Sequence, residues 1–362
     1  LKEKIGLTIV GPEVPLSLGI VDKFQKKGLK IFGPTQDAAR LESSKAFAKK
    51  IMIDSKVPTA SYQVVANIDE GIELAQTLHK GVVKADGLAA GKGVFVCNSQ
   101  TEIIGAVNQL LRDRIFGNGS DFVVIEELLE GEEASVLAFC DGENVQLMPS
   151  AQDHKRVFDN DKGPNTGGMG AYSPAPVVAK ELESKLKELV FLPVLREMKK
   201  RGTPYVGVLY AGLMILNGKP RVLEFNCRFG DPEAQAILMR LESDLVEVML
   251  SCLEKKLDKQ KIKWSEKPCT CVVLASGGYP DNYEKGKIIS GLEKVKESSD
   301  LMVFHAGTKI ENNKIVTNGG RVFGVSARGK TIKESIDNAY NAVSLIKFDK
   351  MHFRKDIGKK AL

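Results

Sequence analysis

The chain opens with a short apolar run, Gly6 to Val10, then a stretch from Leu16 to Lys27 with apolar residues at helical spacing, then a second apolar run, Leu29 to Phe32, stopped by Gly33-Pro34. Strand, helix, strand is the rhythm of a parallel sheet covered by helices. Such a unit normally begins with a strand and a glycine-rich turn. None precedes Gly6, so the piece reads as the second half of an open α/β domain, with a segment missing before it. From Thr35 a helical pattern runs through Asp54 and breaks at Val57-Pro58, because the residue before a proline is pushed out of the helical region. A compact unit follows, with strands near Tyr62, over Val82 to Ala85, Val94 to Cys97 and Phe122 to Glu126, and helices over Asp69 to His79 and Thr101 to Leu111. Two helices against an antiparallel sheet fit that order.

Beyond Gly131 the pattern predicts strands around Val136 and Val145, a polar glycine-rich stretch from Gln152 to Tyr172 and an amphipathic helix from Lys180 to Lys200. Strands Tyr205 to Leu216 and Arg221 to Asn226 come next, then a helix from Pro232 to Leu253, with proline at a tolerated first-turn position. The charged stretch Leu257 to Pro268 reads as a boundary. After it, short strands near Cys271, Ile288, Val303, Ile315 and Val325 precede a final helix, Thr331 to Ile346, which suggests a small, mostly β domain. The expected division is 1–38, 39–260 with a lid over about 60–127, and 261–362.

At 362 residues and 43% hydrophobic the chain can bury more than one core, and length alone allows roughly two or three domains. A net charge of +6 is mild and spread out, so the lysine-rich stretches at Lys255 to Lys263 and around Lys359 read as solvated faces and no nucleic-acid partner is expected. No apolar run approaches about 20 residues and no signal-peptide pattern opens the chain, which predicts a cytoplasmic protein without membrane insertion. Its six cysteines form no CxxC pair and read as reduced, buried thiols.

Four stretches carry candidate chemistry. The loop Asp86-Gly87-Leu88-Ala89-Ala90-Gly91-Lys92-Gly93 sits between two strands, so it is neither a Walker A loop nor a dinucleotide fingerprint. Its glycines let backbone N–H groups approach phosphate, and Lys92 adds a mobile charge, although a plain turn gives the same pattern. Lys84, among Val82, Val83 and Ala85, needs an anionic partner if buried, because an unpaired ammonium is costly to desolvate; a lysine snorkelling to solvent is the alternative. Lys45, on the preceding helix, is a third cation. In Val222-Leu223-Glu224-Phe225-Asn226, residues two apart share a face, so Glu224 and Asn226 project together with Leu223 and Phe225 behind. A carboxylate and an amide oxygen are hard donors that suit Mg²⁺, with nucleotide phosphates and water completing the shell. Cys227 to Glu233 then adds Arg228, Gly230 and Asp231. Asp153, His154, Lys155 and Arg156, followed by Asn165, Thr166, Gly167 and Gly168, form a charged, donor-rich stretch suited to a small zwitterion or a phosphosugar. Finally Glu126, Glu127 and Leu128 end a strand just before Gly131-Glu132-Glu133, which can offer backbone to a base and a carboxylate to a ribose.

In order, the stretches SKAF (Ser44 to Phe47), KADGLAAGKGV (Lys84 to Val94), EGEEAS (Glu130 to Ser135), AQDHKR (Ala151 to Arg156), GPNTGGMGAYSPAP (Gly163 to Pro176) and EFNCRFGDPEAQ (Glu224 to Gln235) resemble the glycinamide ribonucleotide synthetase family of ATP-grasp ligases. The resemblance extends to RKDIG (Arg354 to Gly358). It implies an α/β protein: a partial open parallel-sheet N-terminal domain, a two-lobed α+β ATP-grasp core and a small, mostly β C-terminal domain. It implies that ATP binds with Lys45 and Lys84 toward the phosphates, the Asp86 to Gly93 loop (Gly87, Gly91, Lys92) over the γ-phosphate, the Glu126 to Leu128 backbone at adenine and Glu133 at ribose. Glu224 and Asn226 would hold Mg²⁺ or Mn²⁺. Arg228, with Lys84 and Lys92, would serve catalysis, and Asp153, Lys155 and Arg156 would lie near glycine or 5-phosphoribosylamine. A monomer or weak dimer is expected. Two departures stand out. The family's opening strand and glycine-rich loop, ending in an Arg-Glu-His type triplet at the phosphoribosyl phosphate, do not occur here. Many wider ATP-grasp relatives also place a second carboxylate on the preceding strand, where this chain reads Tyr210-Ala211-Gly212-Leu213-Met214, so few protein ligands for a metal are expected. A formate- or bicarbonate-using ATP-grasp ligase and a non-catalytic nucleotide-binding module are the competing readings.

Overall fold

The computed structural model describes residues 3–89, 93–116 and 122–362. The chain forms two compact units, one of Leu1–Met148, Ala179–Phe229 and Val246–Gln260, the other of Pro149–Val178, Gly230–Leu245 and Lys261–Leu362.

The first unit begins with parallel strands Thr8–Ile9 and Ile31–Phe32. The helix expected between them is two, Glu13–Ser17 and Ile20–Gln25, because Gly19 adopts the left-handed conformation (φ 72°) and breaks the run. The long helix expected from Thr35 is likewise divided. Ser44 is extended (φ −139°) and separates Arg40–Ser43 from Lys45–Asp54, which it caps by accepting from Phe47 N.

The stretch expected as a lid contains a four-stranded antiparallel sheet in the order Tyr62–Val65, Val123–Glu126, Gly81–Ala85, Val94–Cys97. Helices Ile68–Gln76 and Gln100–Val107 complete its core with Ala75, Ile103 and Val107 against Val83, Val123 and Ile125. Each helix start is held from both sides: Asn67 caps it by accepting from Glu70 N while Glu70 accepts from Ala66 N, one residue before the cap, and Ser99 and Glu102 do the same with Asn98 N. A second antiparallel sheet runs Lys219–Asn226, Val206–Leu216, Glu132–Asp141, Val145–Leu147.

In the second unit, strands Leu301–His305, Arg321–Arg328, Cys269–Ser276, Gly170–Ser173 and Gln152–Asp153 lie in that order, Met351–His352 also pairs with Cys269–Ser276, and helix Ile332–Leu345 packs on the sheet. Two expectations change. The stretch from Gln152 to Tyr172 is no plain loop: it supplies two strands of this sheet and the hairpin Arg156–Phe158 with Lys162–Asn165. The helix expected from Pro232 to Leu253 is two, Glu233–Ile237 and Leu245–Leu253, since Leu241 turns to extended geometry and bridges Trp264.

Candidate functional site

Most of the predicted nucleotide residues meet in the first unit. Lys84 is buried, and the anionic partner its burial demands is Glu126 on the neighbouring strand, with Nζ 2.9 Å from Oε1. Val82 pairs with Glu126, so Lys84 and Glu126 are diagonal neighbours on one face. Lys84 also donates to Leu223 O at 3.1 Å.

That carbonyl is available because of an irregularity in the sheet. Gly212 pairs with Glu224 but Leu213 pairs with Val222, leaving Leu223 as an extra residue. The bulge also turns over the alternation. Val222 is buried before it and Phe225 after it, so Glu224 and Asn226 sit half-buried on the open face. Leu223 itself is half-buried and does not pack behind them as expected; Val222 takes that place.

Opposite Glu224 stands Gly212, where an added Cβ would meet Glu224 Cγ at 3.4 Å, so the missing side chain leaves room beside the carboxylate. Glu224 and Asn226 thus fit a divalent cation as two hard oxygen donors. Among the described residues no group of three or more His, Cys, Asp or Glu could hold a metal. The Lys45 ammonium has its pKa lowered by burial and by Lys84, with Glu224, Asp86 and Glu126 acting the other way. These charges share one electrostatic neighbourhood.

Asp86 holds the start of the neighbouring helix. Its carboxylate accepts from Ala46 N at 2.7 Å and from Ser44 Oγ at 3.1 Å, and its carbonyl accepts from Lys45 N, so it caps the Lys45–Asp54 helix from outside. Lys45 Nζ donates to Gly87 O at 3.3 Å. With Ala85 N bonded to Gly93 O at 2.8 Å, both ends of the loop are fastened. Gly91 and Lys92 lie outside the described residues. Glu127 N is taken by Ser61 O and its carboxylate pairs with Arg221. Leu128 is half-buried, and Glu133 is exposed on the Glu132–Asp141 strand.

Arg228 is clamped between two carboxylates, Glu13 at 2.9 Å and Glu42 at 3.0 Å. Burial works against its charge, but Glu42 and Glu13 outweigh it and raise its pKa. Glu42 also accepts from Cys227 N at 2.8 Å, and burial pushes its own carboxyl up to about 7 against the pull of Arg228. The sequence reading missed Glu13 and Glu42, because nothing local links residues so far apart in the chain. It also missed Lys49, one helical turn beyond Lys45 on the same face, a spacing that offered a usable signal.

The remaining candidates lie in the second unit. Arg321, which the sequence did not single out, donates to Gly167 O at 2.6 Å and Asp231 O at 2.9 Å, and pairs with Asp231 Oδ2 at 2.9 Å. One guanidinium therefore pins the Gly167-Gly168 loop to the turn that carries Gly230 and Asp231. Gly167 N donates to Tyr279 Oη, Gly168 N to Thr166 Oγ1, and Thr166 N and Oγ1 to Lys155 O. The donor-rich stretch thus spends these donors on acceptors of the protein itself. Gly168 has φ 109°, and an added Cβ would lie 2.3 Å from Pro232 Cδ, so only glycine fits. Asp153, whose Oδ1 is buried, is pushed well above the usual carboxylate range by burial and by Glu233, against Lys155 and Arg321. Arg156 is exposed and donates to Gly163 O; Asn165 is exposed on the paired strand.

His154 belongs to the core instead of the ligand surface. It is buried, its Nδ1 faces Gly170 O at 3.3 Å, and its ring tilts against Tyr172. Burial, with Arg354 and Lys360, lowers its pKa from 6.5 to about 4. The folded state thus holds this proton less tightly than the unfolded chain. The stability His154 confers is complete above about pH 6.5 and lost as pH falls toward about 4, by about 3 kcal/mol in total. Replacing His154 by Phe should flatten that part of the acid-denaturation curve followed by circular dichroism; an unchanged slope would refute the assignment.

The family model for the phosphoribosylglycinamide synthetase N domain matches residues 1–42, the ATP-grasp (A) domain residues 43–234 and the C domain residues 269–360. A phosphoribosylamine--glycine ligase from Vibrio vulnificus is 52% identical over 366 residues, covering 100% of this chain and 85% of that protein. The crystal structure of a phosphoribosylamine--glycine ligase from Thermotoga maritima superposes with a TM-score of 0.84 at 36% identity, over 93% of this chain and 84% of that one. A biotin carboxylase from Campylobacter jejuni shares the fold at a TM-score of 0.74 and 15% identity, over 97% of this chain and 77% of that one. Matched by the three domain models along its length and by relatives at about half identity, the chain belongs to the phosphoribosylglycinamide synthetase family of ATP-grasp ligases.

Proposed function

We propose that this protein joins glycine to the amine of 5-phosphoribosylamine at the expense of ATP, giving glycinamide ribonucleotide, ADP and phosphate in purine biosynthesis. The observation that carries the reading is the placement of Lys84 against the Leu223 carbonyl, one residue before Glu224, within one compact unit. A glycine carboxylate oxygen attacks the γ-phosphorus as its bond to ADP breaks, forming glycyl phosphate. The acceptor amine then attacks the acyl carbon, phosphate leaves and the amine loses a proton. Lys45 and Lys84 neutralise the phosphates, and the Asp86 to Gly93 loop covers them. Glu224 and Asn226 would hold Mg²⁺ or Mn²⁺, which would draw charge from the transferring phosphoryl group. Arg228, its charge held by Glu13 and Glu42, faces the negative charge of the tetrahedral intermediate. The fixed loops around Asp153, Lys155, Gly167 and Asp231 orient glycine and acceptor. Six buried free cysteines suit a reducing compartment such as the cytoplasm, where we place the enzyme as a monomer or weak dimer.

The test is release of ADP, which should require glycine and phosphoribosylamine together. ADP release with formate or bicarbonate in place of glycine would overturn the assignment.

A further inference from the structure

Lys49 plays no part in the reaction just described, yet it is almost fully buried beside the nucleotide residues. Its Nζ lies 3.0 Å from Glu126 Oε2, on the carboxylate oxygen opposite the one that meets Lys84. It donates to Thr59 Oγ1 at 2.8 Å, and Thr59 in turn donates to Val222 O at 2.6 Å. The Tyr62 ring lies 5.6 Å away. The contacts close a circuit: from Val222 through Thr59, Lys49, Glu126 and Lys84 to Leu223, the bulged residue next to Val222 on the same strand. One carboxylate is shared by two ammonium groups, so the circuit taken by itself carries two positive charges against one negative, with the Glu224 and Asp86 carboxylates acting from beside it. A buried excess charge is costly unless a counter-charge arrives.

We propose that Lys49 is a positioning residue for nucleotide binding: it holds Glu126 neutralised so that Lys84 can give its charge to the phosphates of a nucleoside triphosphate. This rests on the ATP-dependent reading above. Without Lys49, Lys84 is left as the cation in contact with Glu126 among the described residues, and the phosphates must compete with a buried carboxylate for it. The missing ammonium is then harmful only while Glu126 is charged. A purely structural role predicts the opposite, that a second substitution in the circuit adds to the damage.

The experiment is a double-mutant cycle on the whole protein, with Kd for ADP and the KM values for ATP and glycine measured in each variant, and folding checked by thermal denaturation without nucleotide. Lys49→Met should raise Kd for ADP and KM for ATP about tenfold and leave KM for glycine unchanged, the size expected for one charge-assisted contact. Lys49→Arg should restore most of the loss. Lys49→Met combined with Glu126→Gln should return ADP affinity to within about threefold of the parent, because Lys84 is released. ADP affinity in the double variant at or below that of Lys49→Met would overturn the proposal, as would an equal rise in both KM values. If Lys49→Met does not fold, Lys49→Arg with Glu126→Gln against Glu126→Gln alone gives the second reading: equal ADP affinities support the proposal, and a further loss overturns it. Failure of the parent protein to bind ADP at all would instead sink the ATP-dependent reading itself.

Discussion

Replacing Glu224 by Ala should lower ligase turnover by about a thousandfold while the melting temperature moves by no more than about 2 °C. The two effects separate because of where the residue sits. Glu224 lies half-buried on the open face of its strand, after the bulge, with Phe225 making the core contact. Its charge matters to its neighbours in compensating ways: it favours the ammonium of Lys45 and disfavours the carboxylate of Glu42. Losing it costs one and relieves the other. ADP release at saturating Mg²⁺, followed beside a thermal melt, checks both halves. More than a tenth of the parent turnover in a folded variant would remove Glu224 from the metal site.

The second large effect is expected at Arg228, and it should depend on pH. Arg228→Met leaves Glu13 and Glu42 facing each other without the guanidinium between them, and breaking such a pair costs about 3 kcal/mol. In the intact protein burial raises the Glu42 carboxyl from 4.5 to about 7. A raised carboxyl means that the folded state holds the proton more tightly than the unfolded chain. Its contribution is therefore most favourable below about pH 4.5 and is lost as pH rises through 7. Without Arg228 this carboxyl rises further, so the variant should be destabilised more at pH 8 than at pH 6 in urea titrations, with turnover lost at both. Equal destabilisation at the two values would show that Glu42 stays ionised throughout.

Period and punctuation made much of this molecule legible beforehand. The strands from Tyr62 to Glu126 alternate with helices that begin at Asn67 and Ser99, and each start has its glutamate three residues on. Lys84 advertised itself as a cation in apolar company, and Glu126 answers it. What stayed hidden depended on contacts distant in sequence or on single-residue geometry. Ser44 and Leu241 break helices whose composition favours continuation, because their partners, Asp86 and Trp264, lie elsewhere in the chain. Arg321 reads as an ordinary strand residue until Gly167 and Asp231 are brought to it. His154, grouped with its charged neighbours by proximity in sequence, points into the core because strand alternation separates it from them.

The extra residue at Leu223 has a consequence for how this segment can change over time. Upstream of it Pro220 and Val222 face inward, and downstream Phe225 does, so the strand reads in two opposite phases joined at one point. Removing that one residue would restore regular alternation, with Val222 and Phe225 still inward and Glu224 and Asn226 still on the open face, but it would take away the carbonyl to which Lys84 donates. Point substitutions here can be graded in their effects, whereas a lineage that drops the extra residue keeps the acid and the amide where they are and forfeits the lysine contact in one event.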